Sequence, residues 1–73
     1  MSSFPDKLKQ LRSQKKVKQS DVSALLSIST RNYQRYEYGL NEPNIDGLIL
    51  LADYFDVSLD YLVGRSDDPT VHK

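Results

Sequence analysis

Residues 19–38 read QSDVSALLSISTRNYQRYEY, and this stretch decides the architecture. Val22, Leu25 and Leu26 recur at the three- and four-residue spacing of one helix face, and the pattern breaks at Ser27 and Ile28. Ser29 then offers a hydroxyl at the N-cap of another helix over residues 30–38. Gly39 ends that helix in the left-handed conformation glycine adopts freely. Neither helix is long enough to persist alone in water, so packing must hold them. With only about three residues between them, one helix braces the next and turns its outer face away from the core.

On the N-terminal side, Phe4, Leu8 and Leu11 mark an amphipathic helix over about residues 4–16, with Pro5 tolerated in its first turn; Val17 and Lys18 form a short join. On the C-terminal side, Pro43 and two asparagines make a loop, and Asn44 caps a helix over residues 45–55. Its expected inner face is Ile45, Leu48, Leu51, Ala52 and Phe55. Ser58 caps a one-turn helix containing Leu59, Leu62 and Val63, closed by Gly64. No segment sustains a period of two and no repeat is present, so the fold class is all-α, a compact bundle of five short helices. Residues 1–64 are expected to form one domain, and the polar residues 65–73 a mobile tail.

With 73 residues, the chain has room for one domain. Hydrophobic residues make up 38% and charged residues 27%, ordinary globular usage, so a small packed core is expected rather than disorder. The absence of Cys excludes disulfides and thiolate metal cages and fits a reducing compartment. The longest apolar run, residues 48–52, is five residues against the roughly 20 a membrane span needs, and the N-terminus lacks a signal pattern. The expectation is a cytoplasmic protein with no membrane partner.

Net charge is zero, but the signs are segregated. Residues 1–36 carry Lys7, Lys9, Arg12, Lys15, Lys16, Lys18, Arg31 and Arg35 against Asp6 and Asp21, a balance of +6. Residues 37–73 carry the opposite balance, −6. Separation of this size in so short a chain favours a polyanion-facing half.

The residues that punctuate these helices resemble a known family. Leu8-x-x-Leu11-Arg12, Gln19-x-x-Val22, Ile28-Ser29-x-Arg31, Arg35-Tyr36-Glu37-x-Gly39, Pro43 and the run from Leu51 to Gly64 resemble the Cro/CI-type (XRE) helix-turn-helix family of bacterial and phage regulators. The similarity covers residues 4–64. It implies a lambda repressor-like, five-helix DNA-binding domain and sequence-specific binding of operator DNA, commonly as a homodimer on a palindrome. Four positions depart from the pattern. Ser23 stands where Ala is common, Ser27 where Gly is, Tyr33 where a β-branched residue is, and Lys18 where a capping Ser or Thr is. Ser27 costs about 1 kcal/mol if the turn imposes a positive φ, and Lys18, lacking an acceptor, about the same as a cap. The extra bulk of Tyr33 needs either a matching gap in the core or a hydroxyl leaning out to solvent or phosphate.

A major groove roughly 12 Å wide admits one helix. With Tyr33 and Tyr36 turned inward, the third helix shows Thr30, Arg31, Gln34 and Arg35 on its other side. These side chains suit base edges: Arg bridges guanine O6 and N7, Gln bridges adenine N6 and N7, and Thr meets the thymine methyl. The resemblance places Thr30, Arg31 and Arg35 at base-reading positions and Gln19 at a backbone-contacting one. The dipole at the start of the second helix also suits a phosphate near Gln19. Lys16, Lys18, Asn32, Tyr38 and Asn41 are further candidates for phosphate contact. Arg12 and Glu37 match the family's interhelical ion pair. Leu50, Tyr54, Tyr61 and Val63, opposite or beyond the inner stripes, are the expected homodimer surface.

Catalysis has little support. The one His is His72 in the tail, and no phosphate-cradling loop or metal-ligand spacing occurs. Asp53, Asp56 and Asp60 lack the Gly-centred loop that Ca²⁺ sites use and read as solvated acids. No enzymatic activity, metal or small-molecule cofactor is expected. The expected function is a transcriptional regulator, a repressor occupying double-stranded operator DNA. The alternative is an antitoxin-like or adaptor module that binds another protein.

Overall fold

Helix boundaries follow the capping chemistry. The computed structural model describes residues 3–71. Helix α1 spans Phe4–Lys15, α2 Gln19–Leu25, α3 Thr30–Tyr38, α4 Ile45–Phe55 and α5 Leu59–Leu62; the described residues contain no strand. Side-chain oxygens of Ser3, Ser29, Asn44 and Ser58 accept the amide N–H groups of Asp6, Asn32, Gly47 and Tyr61, so four of the five N-termini carry a side-chain cap. The exception is α2, whose cap residue Lys18 has no acceptor. The carboxylate of Asp21 instead accepts the Lys18 N–H at 2.9 Å, completing half of a capping box.

Left-handed residues close the helices. Gly39 ends α3 at φ 76°, as expected. Lys16 ends α1 and Asp56 ends α4 in the same conformation without being glycine, and Ser27 in the α2–α3 turn has φ 56°. The strain foreseen for Ser27 is therefore present.

The core is Leu8, Leu11, Val22, Tyr33, Leu51, Ala52, Val57 and Leu62, with Phe4, Leu26, Leu48 and Phe55 packed against it. Helix α3 lies on α1 and α2, while α4 and α5 pack together and α1 touches both. Ile45 corrects the sequence reading: it was assigned to the inner stripe of α4 but is 63% exposed. It is the first residue of the helix, and helical side chains tilt toward the N-terminus, so Ile45 overhangs the core instead of entering it. Val63 lies one residue beyond α5 rather than within it.

Residues 65–71, read from sequence as a mobile tail, return to α5. The Ser58 N–H donates to the Pro69 carbonyl at 2.9 Å and the Ser58 hydroxyl to the Asp68 carbonyl at 3.3 Å. His72 lies outside the described residues. No helix among the described residues is long and apolar enough to cross a membrane.

Candidate nucleic-acid interface

Tyr33 fixes the roll of α3. Its side chain is fully buried, and its hydroxyl donates to Glu37 Oε2 at 2.6 Å one turn along the helix. The core thus has room for the ring, and the hydroxyl turns to an internal carboxylate instead of to solvent. Tyr36, half-buried, stacks edge-on against Tyr33 with ring centroids 6.3 Å apart. With both rings on the inner side, Arg31 and Arg35 are exposed, and neither forms an ion pair with any described residue.

Glu37 is the centre of a polar cluster inside the bundle, with 3% of its surface exposed. Arg12 Nε donates to Glu37 Oε2 at 2.6 Å and Arg12 Nη2 to Oε1 at 3.3 Å, so the expected ion pair forms in forked geometry. Arg12 Nη1 also donates to the Val17 carbonyl at 3.3 Å, tying α1 to the join before α2. Burial disfavours the charged form of Glu37. The bonds from Arg12, Tyr33 and Gln19, with the guanidinium charge, outweigh it, and the carboxyl pKa falls below its ordinary 4.5. The bond to Glu37 raises the Arg12 pKa. Burial, then the neighbouring carboxylate, pushes the Tyr33 phenol upward, so it remains a donor.

Gln19, at the start of α2, is half-buried and engaged within the protein. Its Nε2 donates to Glu37 Oε1 at 3.2 Å, and its Oε1 accepts Gln34 Nε2 at 3.0 Å. Sequence reasoning placed Gln19 beside phosphate and did not foresee this bridge. The available signal was the recurrence of polar Gln19, Gln34 and Glu37 around two helices already known to cross. Thr30 is also linked inward, with its Oγ1 3.2 Å from Ser23 Oγ. Ser23 spends its proton on the Ser20 carbonyl at 3.0 Å, so Thr30 donates, leaving its methyl group and both lone pairs of its oxygen for other contacts.

Among the candidates for backbone contact, Lys16, Lys18, Asn32, Tyr38 and Asn41 are all exposed. Lys16 and Lys18 flank the α1–α2 join, while Tyr38 and Asn41 lie at the far end of α3. The Asn41 side chain accepts the Glu42 N–H at 2.9 Å.

The four expected dimer residues differ in exposure and surroundings. Leu50, 44% exposed, borders a hollow with Leu26, Ile28, Tyr36 and Pro43. Tyr54 is half-buried, with Lys15 Nζ 4.9 Å from its ring centre, and Tyr61 holds Lys7 Nζ at 3.9 Å. Val63 borders a hollow with Phe4, Pro43 and Leu48, which shares Pro43 with the one beside Leu50. Exposed apolar side chains that the sequence reading did not single out are Leu40, Ile49 and Val71. Asp53, Asp56 and Asp60 do not gather, and no group of potential metal ligands occurs among the described residues.

Comparison with known proteins agrees with this arrangement. A helix-turn-helix family model matches residues 8–62. The chain is 36% identical to the HTH-type transcriptional regulator YobD of Bacillus subtilis over 66 residues, 90% of this chain and 59% of YobD. It is 41% identical to YqaE of the same organism, again over 66 residues, 89% of this chain and 57% of YqaE. A crystal structure of a transcriptional regulator from Listeria innocua superposes with a TM-score of 0.82 at 34% identity, covering 97% of this chain and 62% of that one. The chain thus spans somewhat more than half the length of these relatives. With a helix-turn-helix family model matching residues 8–62 and regulators 36% and 41% identical over about nine-tenths of the chain, the chain belongs to the XRE-type helix-turn-helix family.

Proposed function

We propose that this protein is a sequence-specific, double-stranded-DNA-binding transcriptional regulator. It acts as a repressor by occupying an operator with α3 in the major groove. The observation that carries the reading is the roll of α3: Tyr33 is buried and bonded to Glu37, while Arg31 and Arg35 stand free on the other side. Thr30, Arg31, Gln34 and Arg35 form the base-reading set. Lys16, Lys18, Asn32, Tyr38 and Asn41 border it and set register through phosphates. YobD and YqaE, similar along nearly the whole chain and named as HTH-type transcriptional regulators, support the regulator part of this reading.

Residues 1–64 form the DNA-binding unit in this reading, and residues 65–73 lie outside it. The protein acts in the cytoplasm, with no catalytic step and no cofactor, because occupancy alone is the mechanism. Two copies on a palindrome complete the proposal. Self-association through Leu50, Tyr54, Tyr61 and Val63 on the acidic half leaves the basic half for DNA, and the exposure of Leu50 supports it.

Selection of bound duplexes from a random pool tests the proposal. A recovered palindrome, with log affinity falling linearly against log salt, is the expected result. Arg31→Ala should relax preference at one base pair per half-site. A flat salt response with no selected sequence would instead favour a protein-binding module. A monomer by sedimentation, both alone at high concentration and on the selected duplex, would remove the homodimer.

A further inference from the structure

The hydrogen bonds behind α3 have a direction. Glu37, as a carboxylate, is acceptor-only. The side chain of Gln19 can meet it only with Nε2, because its carbonyl would set two acceptors face to face. That bond, 3.2 Å to Oε1, turns Gln19 Oε1 toward α3, where it accepts Gln34 Nε2 at 3.0 Å. One N–H of Gln34 is thereby committed. Its Oε1 and second N–H have no partner among the described residues, and Gln34 sits beside exposed Arg31 and Arg35.

We infer that Gln34 reads adenine, and that Gln19 is the positioning residue that decides which end of the Gln34 amide meets the base. The inference rests on the proposed docking of α3 in the major groove. Adenine shows a donor, N6–H, beside an acceptor, N7, and a free amide Oε1 with one free N–H matches that pair. Guanine shows two acceptors and would set one of them against the Gln34 carbonyl. Thymine offers O4 but no donor, and cytosine offers a donor but no adjacent acceptor. An unbraced glutamine could turn its amide over to suit a different edge. Here the turn would break the bond to Gln19 and oppose the polarity that Glu37 imposes.

The test compares duplex selection by the full chain, Gln34→Ala and Gln19→Ala, with melting by circular dichroism as the folding control. The wild type should choose adenine at one position per half-site. Gln34→Ala should lose that preference, about fivefold to a hundredfold, and keep the others. Gln19→Ala should weaken preference at the same position only. A measurement independent of any Gln19 variant uses 7-deazaadenine at that position, which replaces N7 by C–H. Wild-type affinity should fall about fivefold or more, while Gln34→Ala should be indifferent. The inference is overturned if Gln34→Ala selects an unchanged sequence, if the deaza base has no effect, or if Gln19→Ala weakens all duplexes equally, as loss of a phosphate contact would. If the wild type selects no sequence at all, the docking of α3 falls and the inference with it.

Discussion

The Tyr33 hydroxyl and the Arg12 guanidinium both donate to the same Glu37 oxygen, each at 2.6 Å. One buried carboxylate therefore clamps α3 to α1 and at the same time holds the ring that sets the roll of α3. Losing either donor leaves the other in place, whereas losing the acceptor strands both.

Glu37→Ala should accordingly cost about 2 to 4 kcal/mol of stability, because it leaves a partly buried guanidinium and a buried phenol without their acceptor. Tyr33→Phe removes only the hydroxyl and should cost about 1 to 2 kcal/mol. Urea unfolding measures both. Glu37→Ala should also weaken DNA binding although it removes no base contact, and unchanged affinity and melting temperature would refute the clamp.

Acid should act through the same residue. The folded-state pKa of Glu37 lies below its ordinary 4.5, so its contribution is fully present above about pH 4.5 and is lost as pH falls through the depressed value. Stability measured from pH 6 down to pH 2 should decline more steeply for the wild type than for Glu37→Gln. Parallel curves would show that the carboxylate carries no such linkage.

Ser27→Gly should raise stability by about 0.5 kcal/mol. Relief of a positive φ, worth about 1 kcal/mol, is partly offset by the greater freedom of glycine in the unfolded chain. Thermal melting reads the shift. Base preference should not change, because Ser27 lies in the turn and not on α3.

Lys18→Thr should separate stability from binding. Threonine supplies the acceptor that the α2 cap lacks and should add about 0.5 to 1 kcal/mol. Removing a phosphate contact should weaken binding to all duplexes alike and reduce the salt slope by about 0.9. A more stable protein that binds less tightly is the expected combination.

The legible parts of the fold were those governed by local chemistry. Ser29, Asn44 and Ser58 announce helix starts because a cap needs only a side-chain oxygen and an amide three residues away. Gly39 announces a stop for the same local reason. The Arg12–Glu37 pair, 25 residues apart, was visible only through the resemblance to a family. The recurrence of Gln19, Gln34 and Glu37 hinted at polar contact between α2 and α3, but the bridge itself depends on how closely the two helices cross and on which amide end faces a buried acceptor. Tyr54 and Tyr61 looked outward by helical position, but lysines of the neighbouring α1 stand over their rings. Ile45 fitted the period and still missed the core, since periodicity takes no account of where a helix begins relative to the layer beneath it.

Those lysines change how the positive charge of the first half is to be counted. Of its eight cations, Arg12 is spent on Glu37, Lys7 and Lys15 stand over tyrosines, and Lys9 lies 3.7 Å from Asp6. Lys16, Lys18, Arg31 and Arg35 remain, all gathered around α2 and α3. With Arg31 and Arg35 assigned to base edges, a titration of complex formation against potassium concentration should therefore register the displacement of about two condensed ions per protomer, those at Lys16 and Lys18, a slope near −1.8, and not the eight that the bare sequence would suggest.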